Sequence, residues 1–307
     1  APPRAIISES PTKFSSPSKD SAMGTGPRLY VKITRDTLPR VKDKYPFLYL
    51  EHGRLAIDDS SVKWIDSDGN VVRIPIATIC SLFLGPGTTV THEAIKVLSA
   101  ANCSVCWMGE DSLLFYAFGD SPTSDTKNFR FQMKAAANPT TRLSVAKRMF
   151  QDRFPGEDLT NRNLSDLRGM EGRRVKALYL EKATYYRVGW SGRSFVPNHF
   201  QLSSTTNQIL TACNAALYGV TASVIHALGY SPHIGFVHTG SPLPFVYDIS
   251  DLYKAEVSID LAFALTRQLN GIYEREKVSD AFRQRVIDLD LLKRMTLDIP
   301  RILGKNE

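Results

Sequence analysis

Glu171 interrupts an apolar stripe. Leu164, Leu167, Val175 and Leu178 recur at helical spacing, and Glu171 falls four residues from both Leu167 and Val175. A carboxylate therefore takes a place on the inward face of a helix predicted over 164–186. Buried without a partner, it would cost several kcal/mol or take up a proton, so it requires a metal, an arginine or hydrogen bonds. Gly169 and Gly172 flank it; each weakens the helix by about 1 kcal/mol relative to Ala but lets another backbone approach closely. Two partners stay open at this point: a metal ion, or a salt bridge to Arg168, Arg173 or Arg174.

A second group follows in the run Gly235-Phe236-Val237-His238-Thr239-Gly240, which leads into Asp248 and Asp251. His238 falls in a glycine-bounded loop before a helix predicted over 245–256. Three residues apart, Asp248 and Asp251 share a helix face, in first turns where the dipole favours anions. They could do no more than cap and charge-complement that helix. Taken together, one Glu, one His and two Asp from separate segments form a donor set for a hard divalent ion. Oxygen ligands suit Mg²⁺ or Mn²⁺, and the imidazole tilts the choice towards Mn²⁺. Such a centre polarises a phosphoryl oxygen and stabilises the leaving oxyanion of a phosphodiester. Among the other histidines, His226 reads as a core residue on an apolar helix. His92 and His199 receive no role, and His52 and His233 could lie near nucleic acid, though no motif marks them.

The elements that must hold these residues change character along the chain. Residues 1–27, rich in Pro, Ser and Thr, read as a flexible tail or linker, with Met23 a candidate native start. Strand-like runs follow at Tyr30–Ile33, Phe47–Leu50, Arg54–Ile57, Val62–Ile65, Val71–Ile76 and Ile79–Leu84. A helix over Thr91–Ala101 comes next, capped by Thr91, then strands at Ser104–Met108 and Leu113–Phe118. Asp68-Gly69 marks a hairpin turn. After the linker 119–124, helical periodicity predicts 125–137, 141–154, 164–186, 205–228, 245–256, 259–269 and 279–297. The expected class is α+β: a β-sandwich-like, largely antiparallel N-terminal domain over 28–120, then an all-α catalytic domain over 121–307.

With 307 residues, 43% hydrophobic and 22% charged, the chain is an ordinary globular mixture, which excludes wholesale disorder and collagen-like or coiled-coil architectures. No run of about 18 apolar residues spans a bilayer, and the start lacks the pattern of a signal peptide. The four cysteines include one CxxC, Cys103 and Cys106, with no second pair, so core thiols are expected rather than zinc. A reducing cytoplasm fits this usage. The net charge of +7 favours a polyanionic partner without proving one. Arg168, Arg173, Arg174, Lys176 and Arg193 cluster around the Glu171 segment, and Arg275 and Lys277 follow the Leu269-Asn270-Gly271 loop. Beside a metal site these residues are expected to contact DNA phosphates.

The words LRGMEGRRVKALY, NAALYGVTASVIHALGYSPHIGFVHTG and LPFVYDISDLYK resemble the CRISPR spacer-acquisition integrase family, the first CRISPR-associated protein, closest to its type I-E branch. Upstream, IPIATICSLFLGPGTTVTHEAI and CWMGEDSLLFYAFG resemble its β domain. The resemblance implies a prokaryotic, cytoplasmic Mg²⁺- or Mn²⁺-dependent integrase and endonuclease. It would join the 3′-hydroxyl of a double-stranded prespacer to CRISPR repeat and leader DNA by transesterification, or cut DNA with water as the nucleophile. It also implies a homodimer, assembled with the small second CRISPR-associated protein into a heterohexamer. Glu171, His238 and Asp251 would be metal ligands, Asp248 their support, and Tyr247 and Lys254 DNA contacts. His52 stands where type I-E relatives place a tyrosine wedge, and an imidazole there can still stack on a base. Ser241 and Thr89 stand where a lysine and an arginine are expected. Two rival functions remain: a structure-selective nuclease of branched DNA, and a non-catalytic DNA-binding subunit.

Overall fold

The structure, a computed structural model, describes residues 38–58, 61–109, 115–119, 125–194 and 200–305. The expected tail over 1–27, the strand Tyr30–Ile33, residues 120–124 of the expected linker, Leu113 and His199 lie outside them. Among the described residues the first part holds eight strands and one α-helix: β1 (Tyr45–Leu50), β2 (Gly53–Asp58), β3 (Ser61–Asp66), β4 (Val71–Ile74), β5 (Ile79–Leu84), β6 (Thr88–Val90), α1 (His92–Ala100), β7 (Ser104–Met108) and β8 (Phe115–Gly119). From α2 (Lys127–Ala137) onward every regular element among the described residues is helical.

The strands form two four-stranded sheets, ordered β1-β5-β7-β8 and β4-β3-β2-β6. The largely antiparallel reading fits the second sheet, where β3 pairs antiparallel with β2 and β4. In the first sheet β1, β5 and β7 run parallel, and only β8 reverses. A parallel pair needs a crossover connection rather than a hairpin, and α1 lies on the route from β5 to β7. The three-residue strand β6, which the sequence reading missed, pairs parallel with β2.

At its centre the first sheet is buried on both faces, and every residue of β5 is buried, as parallel strands covered on two sides require; the edge strand β8 leaves Tyr116 and Ala117 exposed. One face sends Leu50, Leu82, Leu84 and Val105 into a core with Leu55, Val62 and Trp64 of the second sheet and Leu98 of α1. The other sends Phe47, Tyr49, Phe83, Cys106 and Met108 into the helical core. Cys103 and Cys106 thus belong to different cores, as residues three apart on extended chain do. Lys44 is buried and donates to Ala101 O (2.9 Å) and Asn102 O (3.0 Å), closing the C-terminus of α1; burial holds its ammonium below the usual lysine value.

The helical part is built around α5 (Thr205–Ala227), which is buried on nearly every side. Around it lie α3 (Pro139–Arg153), α4 (Leu164–Tyr186), α6 (Pro244–Ser250), α7 (Asp260–Gln268), α8 (Arg275–Asp288) and α9 (Leu291–Leu303). The single helix expected over 279–297 is two, broken at Asp290, whose φ of 47° lies in the left-handed region. The expected helix over 245–256 ends at Ser250, and a π-helical turn over Ala255–Ile259 runs into α7.

Sheet and helix meet where Gly219 of α5 faces Phe83. A Cβ at Gly219 would fall 2.7 Å from Phe83 Cζ, so only glycine allows this approach. Ser81 Oγ donates to Ser223 Oγ at 2.7 Å beside it, and Phe47 stacks on Phe83 with centroids 4.5 Å apart. Gly219→Val should therefore overpack the seam and lower unfolding free energy by about 1–3 kcal/mol. Urea denaturation measures this, and wild-type stability in the variant would contradict the close approach.

Candidate active site

Three segments, α4, the loop before α6, and α6 with its C-cap, bring the acidic residues and His238 together. α4 starts with a reciprocal cap: Asn163 Oδ1 accepts from Asp166 N, and Asp166 Oδ2 accepts from Asn163 N, both at 3.0 Å. This fixes the register that buries Leu167 and Met170 and turns Glu171 to the edge of the core, its side chain 18% exposed. The partner of Glu171 is none of the three arginines considered from sequence. Arg153, at the end of α3, places Nη2 2.7 Å from Glu171 Oε1 and Nη1 3.9 Å from Asp251 Oδ2.

Asp248 organises the loop that carries His238. It sits in the second turn of α6, with its carboxylate fully buried. Oδ2 accepts from Phe236 N (2.6 Å) and Val237 N (3.1 Å), and Oδ1 accepts from His238 N at 2.8 Å. The same Oδ1 lies 2.8 Å from His238 Nδ1. The carbonyls of that stretch are held from the other side: Arg142 donates to Phe236 O at 3.0 Å, and Arg168 donates to Val237 O. Gly235 makes the fold-back possible, since a Cβ there would lie 2.7 Å from both His238 O and Pro244 Cβ. Asp248 and Asp251 therefore do not complement the dipole of α6, whose first turn holds no acid.

Asp251 is the C-cap of α6, four residues before the π-helical turn, an insertion common at functional sites. Its Oδ2 lies 3.7 Å from His238 Nε2, and its Oδ1 accepts from Lys254 Nζ at 2.6 Å. The hydrogen bond to Asp248 holds the His238 imidazole above the usual histidine value against the opposing effect of burial, with Asp251 and Glu171 adding to the rise. Burial pulls the Lys254 ammonium down, but Asp251 and Tyr218 outweigh it and keep the group charged well above the lysine range. Lys254 Nζ also lies 4.9 Å from the Tyr218 ring centroid.

Arg153, Glu171, Asp251 and Lys254 line a cleft of about 910 Å³, whose wall includes Tyr179, Arg193, Asn214 and Tyr218, and His238 meets it through Asp251. A second cavity of about 710 Å³ shares Arg193, Asn214 and Tyr218 and extends to Tyr116, His233 and Tyr247. The Arg193 guanidinium, whose basicity burial lowers, donates to Asn207 Oδ1 and Thr211 Oγ1, both at 2.9 Å. Arg173 and Lys176 are exposed on α4. Arg174 pairs with Glu157 and lies 4.9 Å from the Phe154 ring centroid. Of the residues expected to contact DNA, Arg275 commits its guanidinium to Glu51, whose carboxylate also accepts from Tyr49 Oη at 2.8 Å. Lys277 pairs with Glu274 at 2.8 Å. His52 is exposed in the β1–β2 turn with φ 55°, and His226 packs against Phe118 with ring centroids 4.8 Å apart. Sequence reading missed Arg153. Its one signal was an arginine set between Phe150 and Phe154, and nothing local tied it to Glu171.

The chemistry of the donor set fits a hard divalent cation. With Nδ1–H donated to Asp248, His238 turns Nε2 towards Asp251, the orientation that a carboxylate behind a ligating histidine imposes. As they stand, no three His, Cys, Asp or Glu side chains among the described residues are gathered closely enough to hold an ion. Asp248→Ala should strip three buried backbone amides of their acceptor and lower unfolding free energy by about 3–5 kcal/mol. Lys277→Ala, which removes one exposed ion pair, should change it by less than about 0.5 kcal/mol. Denaturant unfolding of the two variants measures the contrast, and equal losses would remove Asp248 from its organising place.

Residues 47–156 match the family described as CRISPR associated protein Cas1. The CRISPR-associated endonuclease Cas1 2 of Chlorobaculum tepidum is 60% identical over 284 residues, covering 92% of this chain and 96% of that protein. The solved TtCas1–DNA complex is 36% identical, with a TM-score of 0.64, over 87% of this chain and 99% of that one. A casposase bound to an integration product shares the fold with a TM-score of 0.67 at 16% identity, over 85% of this chain and 91% of that one. With a near full-length relative at that identity, the chain belongs to the Cas1 family of CRISPR-associated proteins.

Proposed function

We propose that this chain is a metal-dependent DNA integrase and endonuclease of CRISPR adaptation, joining prespacer 3′-hydroxyl ends to repeat DNA by transesterification. The observation that carries the reading is the Asp248 clamp. It fixes His238 with Nε2 turned towards Asp251, which lines one cleft together with Glu171. A relative 60% identical is named an endonuclease, and one 36% identical was solved with DNA.

Glu171, His238 and Asp251 would hold Mg²⁺ or Mn²⁺, and the bound ion would polarise the scissile phosphodiester and stabilise the leaving oxyanion. The chain's own residues supply the rest. Asp248 keeps the imidazole in one tautomer and one orientation. The Lys254 ammonium, held charged at neutral pH, offers a fixed positive charge to a phosphate rather than a proton. Tyr179, Tyr218 and Tyr247 line the cavities with rings on which unpaired bases can stack. Positioning and charge compensation account for the catalysis, with no covalent enzyme intermediate. A homodimer, a heterohexamer with the small second CRISPR-associated protein and a cytoplasmic location complete the proposal.

The test mixes the protein and its small partner with labelled prespacer and a repeat-containing plasmid, in Mg²⁺, Mn²⁺ or EDTA. Strand-joined product is expected only with metal, and not with Glu171→Ala, His238→Ala or Asp251→Ala. Joining in EDTA would end the metal reading, and cutting without any joined product would leave the branched-DNA nuclease. Replacing the exposed Arg173 and Lys176 by Ala should also flatten the slope of log affinity against log salt by about 2; an unchanged slope would take them off the DNA path.

A further inference from the structure

Arg153 belongs to none of the roles that the reaction needs, yet its side chain is held from several sides. Its guanidinium carbon lies 5.7 Å and 5.2 Å from the ring centroids of Phe150 and Phe154, and the side chain is only 12% exposed. From that seat its two terminal nitrogens reach Glu171 at 2.7 Å and Asp251 at 3.9 Å. Lys254 takes the remaining oxygen of Asp251 at 2.6 Å. Both carboxylates that would ligate an ion thus already carry fixed cations.

Two carboxylates in a partly desolvated pocket repel each other unless a positive charge stands with them. A guanidinium supplies that charge at every accessible pH because it does not deprotonate in proteins. It also supplies it in a form that competes with a divalent ion for the same oxygens.

We propose that Arg153 is a built-in counter-cation of the site, one that neutralises Glu171 and Asp251 in the DNA-free protein and must release Glu171 when a divalent ion binds. It therefore sets how weakly the free protein takes up metal. Once displaced, its planar fork stays in the cleft, where a phosphate is the partner it fits best. DNA consequently favours the metal-bound arrangement, and metal favours DNA by the same factor. The inference rests on the metal-site reading above.

The test measures Mn²⁺ binding to the full chain without DNA, by calorimetry or by electron paramagnetic resonance. Arg153→Met should bind Mn²⁺ about tenfold or more tightly than wild type, since the ion no longer displaces a cation. Arg153→Lys, whose single ammonium cannot span both carboxylates, should fall between them. Without metal, Arg153→Met should melt below wild type, and Mn²⁺ should raise its melting temperature more than it raises that of wild type. If Arg153→Met does not fold, Arg153→Lys and Arg153→Gln carry the same comparison. Folded variants that bind Mn²⁺ no more tightly than wild type, while Glu171→Ala abolishes binding, overturn the counter-cation alone. Mn²⁺ binding that is absent throughout, or insensitive to Glu171→Ala, overturns the metal site and the counter-cation together.

Discussion

A carboxylate sealed from water needs every one of its lone pairs answered from within the protein, and Asp248 has that requirement met by the chain around it. Three consecutive backbone N–H groups and an imidazole point at its two oxygens. The loop from Phe236 to His238 has little choice of conformation once this charge is buried, because leaving its amides unmet would cost about 1–3 kcal/mol apiece. Arg142 and Arg168 meet the carbonyls of the same stretch. His238 is thereby placed by main chain as well as by its own ring, so its position does not rely on a rotamer of an exposed side chain.

Electrostatic compensation extends outward from that point. Asp251 stands between Lys254 and Arg153, and Arg153 reaches on to Glu171. Arg174, Arg275 and Lys277 are likewise committed to Glu157, Glu51 and Glu274. These paired cations anchor loops and offset acids, so they add nothing to the surplus of +7. The surplus resides in cations without an acid to offset, and near the site exposed residues such as Arg173 and Lys176 carry part of it.

Local periodicity revealed most of this, and long-range pairing revealed little. The limits of α4, β5 and β7 were legible locally: the two strands are nearly continuous apolar runs, and α4 repeats Leu164, Leu167, Val175 and Leu178 at helical spacing. The oddity of Glu171 was legible for the same reason: a charge on an apolar face violates a pattern. The three-residue spacing of Asp248 and Asp251 was legible too, but its meaning was not. Asp251 keeps helical backbone angles, so the two acids do share a face and meet one imidazole, but at its two nitrogens and with separate work, one inside the fold and one facing the cleft. The parallel order of the first sheet, the break at Asp290 and the partnership of Arg153 with Glu171 all depend on residues far apart in the chain or on one left-handed backbone angle, which no window of spacing contains. Arg275, expected on a DNA path, carries an ion pair that only the meeting of α8 with the β1–β2 turn creates.

That meeting, with the contact of Gly219 on Phe83, has a mechanical consequence. The first sheet is not hung beside the helices on a linker; it shares their core, and the turn bearing His52 is fastened to α8 through Glu51 and Arg275. Among the described residues, one continuous core joins the sheet that carries that turn to the helices that form the cleft. The span from His52 to Asp251 is a caliper with locked jaws, so a partner that must touch both ends has to fit the gap by its own bending or fraying.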